Sequence, residues 1–161
     1  MLIQGESPFI LCTCLIICFG LTDDVLNNLA FLLSNCVRGN SIDLQKAKVV
    51  VGGILHLLDT YPVHEHMEMT LDCVWGLSYV CHSGDVEVFD YFVEVGIPPR
   101  LNNWLSDDYK SDSTRLFFVA FKIGASFMSS DRDEHAQIML DQDFLPLAYK
   151  ILREGDPKPQ V

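Results

Sequence analysis

Apolar residues along the chain recur with helical spacing, and one short pattern returns three times at nearly constant intervals. An apolar block is centred on Phe31, on Trp75 44 residues later, and on Phe121 a further 46 residues on. A second feature repeats independently, since the apolar pairs 57–58, 104–105 and 151–152 are each 47 residues apart. Repeats of about 40 to 47 residues are typical of armadillo and HEAT units. The pattern therefore predicts an all-α, armadillo-type solenoid of stacked helical repeats.

Turn-forming segments divide the chain into repeats of one domain. We expect about three to four stacked repeats in a right-handed superhelix, with both ends lying inside a longer solenoid rather than under polar capping repeats. A chain of 161 residues with 49% hydrophobic residues is long and apolar enough for one core. The expected single armadillo domain covers 1–161, with a partial first repeat 1–40, a second 41–84, a third 85–130 and a partial fourth 131–161.

Each repeat is predicted to contain a helix, a turn and a longer helix. An apolar stretch over 49–58 ends at a break before Pro62, and a longer helix follows over about 63–81, in which Val74 and Leu77 are expected to be buried. Turns are predicted at 96–99 and 143–146. Further helices are predicted over 86–94, 101–105, from a cap at Ser113 to about 128, 134–140, and up to about 153.

Charge restricts the partners. The chain has 22 acidic and 11 basic residues, and its net charge is −11. This balance opposes binding to phosphate backbones and favours a cationic ligand. We therefore expect no nucleic-acid partner.

Residues 8–19 form the most apolar run of the chain. About 12 residues are too few for a membrane-spanning helix, which needs about 20, so we expect no membrane partner. The run also suits the core of a signal peptide, which would make this a secreted helical protein. Because Gln4 and Glu6 before it carry no positive charge, we favour a buried helix.

The six cysteines do not form a framework that staples loops together. Cys36 and Cys73 lie inside predicted helices, Cys81 ends one, and the others share the apolar run near the N-terminus. We expect reduced, buried thiols. The N-terminal group, Cys12, Cys14 and Cys18, lacks the spacing of a zinc site, and no cofactor is expected.

Two long helices are predicted to present polar and aromatic residues on one face. At about 100° per residue, Asp72, Trp75 and Tyr79 fall within roughly a 60° arc. The same geometry groups a second set on the preceding long helix. Stacking would align both faces along one groove, where rings take lysine stems and carboxylates take ammonium groups. A single helical Trp is more often part of a core, so the prediction depends on this alignment. The second set is Phe31, Asn35 and Arg38.

Three segments resemble the central armadillo repeats of the importin alpha family: 71–79, with Asp72, Trp75 and Tyr79 before a glycine turn, 95–101, and 32–38. The resemblance covers about residues 22–161. It implies an adaptor that binds Lys/Arg-rich nuclear localisation signals and works in the cytoplasm and nucleus, either a truncated or a divergent member. It implies that Asn35 binds the backbone of an extended peptide. Importin beta is a further implied partner, although the family's basic N-terminal segment has no counterpart here.

The sequence departs from the family's pattern at three positions. Phe31 stands where the family has Trp, so an indole N–H and the strongest cation–π face are lost. Phe121 stands where the family has Arg, and Ala125 replaces an Asn. A clamp for the peptide backbone is therefore absent from the third repeat. The alternative interpretation is a generic armadillo scaffold for another protein partner.

Motifs for catalysis are weak. His64 and His66 are two residues apart, and on a helix such side chains point away from each other rather than towards one metal. The segment 76–80 lacks the second glycine of a nucleophile elbow. Gly52 and Gly53 are not followed by the Lys-Ser/Thr of a phosphate loop. We expect that the protein is not an enzyme.

Overall fold

The computed structural model describes residues 21–39, 42–83, 86–105 and 114–154. Over these ranges it contains eight α-helices and no strand, which confirms the all-α prediction. The helices are α1 (Asp23–Val37), α2 (Leu44–Thr60), α3 (Met67–Ser83), α4 (Val86–Glu94), α5 (Ile97–Trp104), α6 (Thr114–Met128), α7 (Asp133–Asp141) and α8 (Phe144–Glu154). Residues 8–19, the predicted cap Ser113, and Cys12, Cys14 and Cys18 lie outside the described residues.

The long helix α3 is the centre of the packing. It contacts α1 most extensively and α6 next, and both of these are long helices. The other helices contact chain neighbours: α2 packs on α1 and α3, α5 on α4 and α6, and α7 on α6 and α8. The three helices that carry the repeated aromatic pattern thus form the contiguous set α1, α3, α6.

The core follows the apolar stripe of each helix. Val74 and Leu77 of α3 are fully buried, as predicted. Buried positions on α1 are Leu26, Ala30, Ser34 and Val37, spaced by four, four and three residues as one helix face requires.

Two glycines allow close packing between helices. A Cβ on Gly76 of α3 would lie 2.8 Å from Cδ1 of Ile54 and 3.3 Å from Cα of Ser34. A Cβ on Gly124 of α6 would lie 2.2 Å from the Phe144 ring. Larger residues would push the helices apart at both positions.

Helices α2 and α3, on either side of the turn at Pro62, begin at positions other than those predicted. Helix α2 starts at Leu44 rather than near 49, because the Asp43 side chain caps it by accepting a hydrogen bond from the Lys46 N–H at 2.9 Å. Helix α3 starts at Met67 rather than near 63, because Pro62 opens a turn. In that turn the Pro62 carbonyl accepts bonds from the N–H groups of Glu65 and His66.

That turn also corrects the placement of the two histidines. His64 and His66 precede α3 rather than lying on it. His66 Nδ1 lies 3.0 Å from Oδ1 of Asp23, so this ring joins the turn to the first residue of α1.

The predicted turns at 96–99 and 143–146 are shorter in the structure. Gly96 has a φ of 76°, and α5 begins immediately after it with prolines at its first positions. Proline suits the start of a helix because the N–H it lacks has no partner there. Likewise Asp143 has a φ of 57° and α8 begins at Phe144.

One thiol differs from the sequence expectation. Cys73 and Cys81 are free and buried, and burial raises the pKa of both thiols. Cys36 is free but exposed. It lies about 200° around α1 from the buried Ser34, and therefore off the packing stripe. In the ranges that the structure describes, no helix combines the length and apolarity that crossing a bilayer requires.

Candidate functional site

A shallow groove with a volume of about 180 Å³ lies between α1 and α3. All six residues predicted for the binding face line it, together with the buried Ser34. Helix α1 supplies its residues at spacings of four and three, and α3 at spacings of three and four, so each set shares a helix face. The predicted residues in the groove are Phe31, Asn35, Arg38, Asp72, Trp75 and Tyr79.

The register of the two helices is set beneath and beside the groove. Beneath it, Gly76 approaches the backbone of Ser34. Beside it, Asn27 Nδ2 donates to Oε2 of Glu68 at 3.0 Å. These contacts join α1 to α3 beneath the groove and beside it.

Aromatic rings from three helices line up along this face. The rings of Trp75 and Tyr79 are stacked with centroids 5.8 Å apart. Phe118 of α6 lies on Trp75 with centroids 6.3 Å apart. Phe31 on α1 is 57% exposed and Phe118 is 62% exposed, so apolar ring surface is available to a ligand at both ends.

Two cations of the chain already lie over these rings. The Lys122 Nζ is 5.4 Å from the centroid of Trp75, and the Arg38 Cζ is 5.7 Å from the centroid of Tyr79. Both distances are within the range of a cation–π interaction. The rings expected to receive ligand cations therefore also receive cations of the protein.

Asp72 is the carboxylate of the groove. Partial burial raises its pKa, repulsion by Glu68 adds to the rise, and Arg115 opposes it. A cation entering the groove would stabilise the charged form of this carboxyl.

Asn35 makes a local bond in this structure. Its Nδ2 donates to the Phe31 carbonyl at 2.8 Å, four residues earlier on α1. An Asn amide has two N–H donors and an acceptor oxygen. Its second N–H and its Oδ1 are the groups that a peptide backbone would need to bind.

The third long helix meets the groove through residues that the repeat alignment did not select. Phe121, aligned with Trp75, is half-buried and stacks on Phe144 of α8 with centroids 5.8 Å apart. Phe118 and Lys122 reach Trp75 instead. The sequence did contain a signal for Phe118. In the repeat alignment it occupies the same position as Asp72, which was predicted to lie on the binding face.

A second polar cluster joins α4 to α7 and was not foreseen. His135 Nε2 lies 2.9 Å from Oδ1 of Asp90, and its Nδ1 lies 2.7 Å from the Ser130 Oγ. Arg132 donates to both oxygens of Asp90, at 2.8 and 2.7 Å. Of this cluster only the imidazole is buried, at 2% exposure.

The bonds of this cluster indicate a structural role. With Nε2–H donating to Asp90 and Nδ1 accepting from the hydroxyl of Ser130, a neutral imidazole has both ring nitrogens paired. The His135 ring also packs on Phe89 and Phe127, with centroids 5.6 and 6.1 Å away. The order Ser, His, Asp resembles that of a hydrolase triad, but here the three side chains connect α4, the turn before α7, and α7.

Over the described ranges, no group of three or more His, Cys, Asp or Glu side chains is placed to hold a metal ion. No family model, curated protein or solved structure matches the chain. The resemblance to importin alpha therefore depends on the sequence segments 32–38, 71–79 and 95–101 alone.

Proposed function

We propose that this chain is an armadillo-type α-solenoid whose α1, α3 and α6 face binds extended basic peptides, as an importin-alpha-like adaptor for nuclear import. Its ligands would be the Lys/Arg-rich localisation signals of cargo proteins, met in the cytoplasm and released in the nucleus. The observation that carries the proposal is the groove itself. It brings together six residues from helices that begin 44 residues apart, at Asp23 and Met67.

The order of helices supports the armadillo type. Helix α6 begins 47 residues after α3, and α1, α3 and α6 are in contact in that order. Two short helices, α4 and α5, separate α3 from α6, and two more, α7 and α8, follow α6. Armadillo and HEAT repeats consist of two or three helices, and here the 17-residue α2 lies between α1 and α3, whereas two helices lie between α3 and α6.

The chemistry of the groove suits a lysine or arginine side chain. The Phe31 and Trp75 rings offer apolar walls for the alkyl stem, and Asp72 offers a carboxylate to the charged head. The net charge of −11 would attract a basic peptide at long range, more strongly at low salt.

A second candidate is a generic armadillo scaffold for a partner without a basic cluster. Lys122 and Arg38 over the rings favour it, because like charges in the ligand would be repelled there.

Fluorescence titration separates the two functions. Trp75 is partly buried and lines the groove, whereas Trp104 is buried, so a peptide on this face should change the emission of Trp75. A Lys-rich localisation peptide and its Lys-to-Glu counterpart would be titrated at two salt concentrations. The adaptor requires tighter binding of the Lys-rich peptide, by a margin that shrinks with salt.

The matched control is Tyr149→Ala, which removes a ring that is 65% exposed on α8, away from the groove. It should leave binding unchanged. Equal binding of the two peptides would contradict the adaptor function and favour the scaffold.

A further inference from the structure

Trp75 separates the face into two parts with different occupancy. On the α1 side lies the open groove, with Phe31, Asn35 and Asp72, where the Arg38 guanidinium lies over the Tyr79 ring rather than over Trp75. On the α6 side lies what we term the filled slot, made by Trp75, Phe118 and Lys122. The Lys122 ammonium stands over the Trp75 ring as a ligand lysine would.

We propose that Lys122 is a built-in occupant of the filled slot, so that the face selects peptides of mixed charge. Such a peptide places one basic side chain in the open groove and an acidic side chain against Lys122. This inference rests on the proposed function, since it assigns the ligand class of the same face.

The backbone of Lys122 is held firmly. It lies in the middle of α6, and the neighbouring residues Ala120 and Ile123 are fully buried. Its carbonyl also accepts a hydrogen bond from the Ser126 Oγ at 3.1 Å. From this fixed position the side chain reaches α3, where its Nζ lies over the Trp75 ring.

Charge around Trp75 differs from that of the whole chain. The cations Arg38, Lys122 and Arg115 all lie near this face, and its acidic residues are Asp72, in the groove, and Glu68, beside Asp72. Among the described side chains, no carboxylate lies within ion-pair distance of Lys122. A second cation at this slot would meet repulsion, and an anion would meet a charge that it can pair with.

An extended peptide can reach both parts. Side chains on the same side of an extended chain are about 7 Å apart, and packed helices are about 8–10 Å apart. A basic and an acidic residue with one or two residues between them can therefore reach the open groove between α1 and α3 and the filled slot between α3 and α6. Since either chain direction meets this condition, both sequence orders belong in the test.

The test compares a two-lysine peptide with mixed Lys/Glu peptides of equal length in both orders, by Trp75 fluorescence. The wild-type chain should bind the better mixed peptide roughly three- to fivefold tighter than the two-lysine peptide, which is the margin expected for one exposed ion pair between the acidic side chain and Lys122. Lys122→Ala should abolish this preference, and Lys122→Glu should reverse it. Lys122→Gln keeps most of the stem and should behave like Lys122→Ala if charge is the cause.

The chain offers a matched control in Lys48→Ala. Lys48 also places its Nζ over a ring, at 5.3 Å from the centroid of Tyr91, but this pair lies away from the groove. The net charge changes identically, so the preference should remain. In the ligand-free chain, a neutral quencher such as acrylamide should reach Trp75 more readily in Lys122→Ala than in Lys48→Ala.

The possible failures are distinct. Suppose that the two-lysine peptide binds best and that Lys122→Ala changes the peptide preference no more than Lys48→Ala does. The proposed role of Lys122 is then disproved, while the proposed function stands. If no peptide binds to the wild-type chain or to Lys122→Ala, both are disproved.

Discussion

Asp72 and Asp90 are both carboxylates on helices of the same chain, yet their surroundings shift their pKa values in opposite directions. At Asp72, in the groove, burial and the nearby Glu68 raise the pKa of the carboxyl. At Asp90, the hydrogen bond from His135 and the charge of Arg132 lower the pKa. The protein therefore disfavours the charged form of Asp72 and stabilises the charged form of Asp90.

This difference distinguishes a candidate binding site from a structural contact. The bonds of the Asp90 cluster join α4 to α7 and to the turn before α7, so the charge of Asp90 contributes to holding these parts of the chain together. The Asp72 carboxylate is held at a cost that a cationic ligand would relieve. Perturbed carboxyls occur both at functional sites and in structural ion pairs, so it is the position of Asp72 in the groove, together with its pKa, that makes it the candidate.

The largest effect expected is on the structural side of this comparison. His135→Ala should lower the free energy of unfolding by about 2–4 kcal/mol, because it leaves a cavity beside Phe89 and Phe127 and removes the partner of Asp90 and Ser130. Urea unfolding measures this.

The control for His135 is His64→Ala. The His64 side chain is 71% exposed in the turn before α3, so the change should be within about 0.5 kcal/mol. Comparable losses in the two variants would show that the cluster does not stabilise the fold.

The next effect is on the binding side. Trp75→Ala should weaken binding of a Lys-containing peptide by about 1–2 kcal/mol, because it removes the ring shared by the open groove and the filled slot. Since most of this loss is apolar contact, it should persist at high salt. Peptide titration at two salt concentrations is the measurement.

Leu77→Ala, two residues further along α3, is the matching variant that should change stability rather than the binding face. Leu77 is fully buried, so this change should cost about 2–4 kcal/mol of stability and leave the groove side chains in place. If Trp75→Ala destabilised the chain as much as Leu77→Ala, Trp75 would belong to the core rather than to a binding face.

The sequence was informative about these two regions to different degrees. The six groove residues repeat at helical spacing within two helices, so local periodicity was enough to place them on one face. The contact of Lys122 with Trp75 depends on how α6 is rotated against α3, which no spacing within one helix determines. The Asp90 and His135 pair is separated by 45 residues and carries no motif.

Element boundaries show the same limit. The α4 helix spans the predicted residues 86–94, because apolar periodicity sets it locally. The start of α5 was missed, because prolines usually mark turns and here they occupy its first positions after Gly96.

A smaller effect is expected from the charge of Asp72. Asp72→Asn should reduce the affinity for a basic peptide severalfold at low salt, and the reduction should shrink near physiological ionic strength, where the Debye length is about 8 Å. The same change should not weaken binding of a peptide in which the basic residue is replaced by a neutral one. Equal losses for both peptides would mean that Asp72 does not contact the ligand's charge.

The smallest effect is in the pH dependence of stability, where the two carboxylates should differ in sign. The pKa of Asp90 is lowered on folding, so its contribution is present above the unfolded pKa of about 4 and is lost as the pH falls through the folded value. The pKa of Asp72 is raised, so its contribution is favourable below about pH 4 and is lost as the pH rises through the folded value. Unfolding would be measured between pH 3 and pH 7 in the wild-type chain, Asp90→Asn and Asp72→Asn. Relative to wild type, Asp90→Asn should lose stability as the pH rises across this range, whereas Asp72→Asn should gain it. Curves that move in the same direction would remove the distinction between a stabilised structural carboxylate and one held ready for a cation.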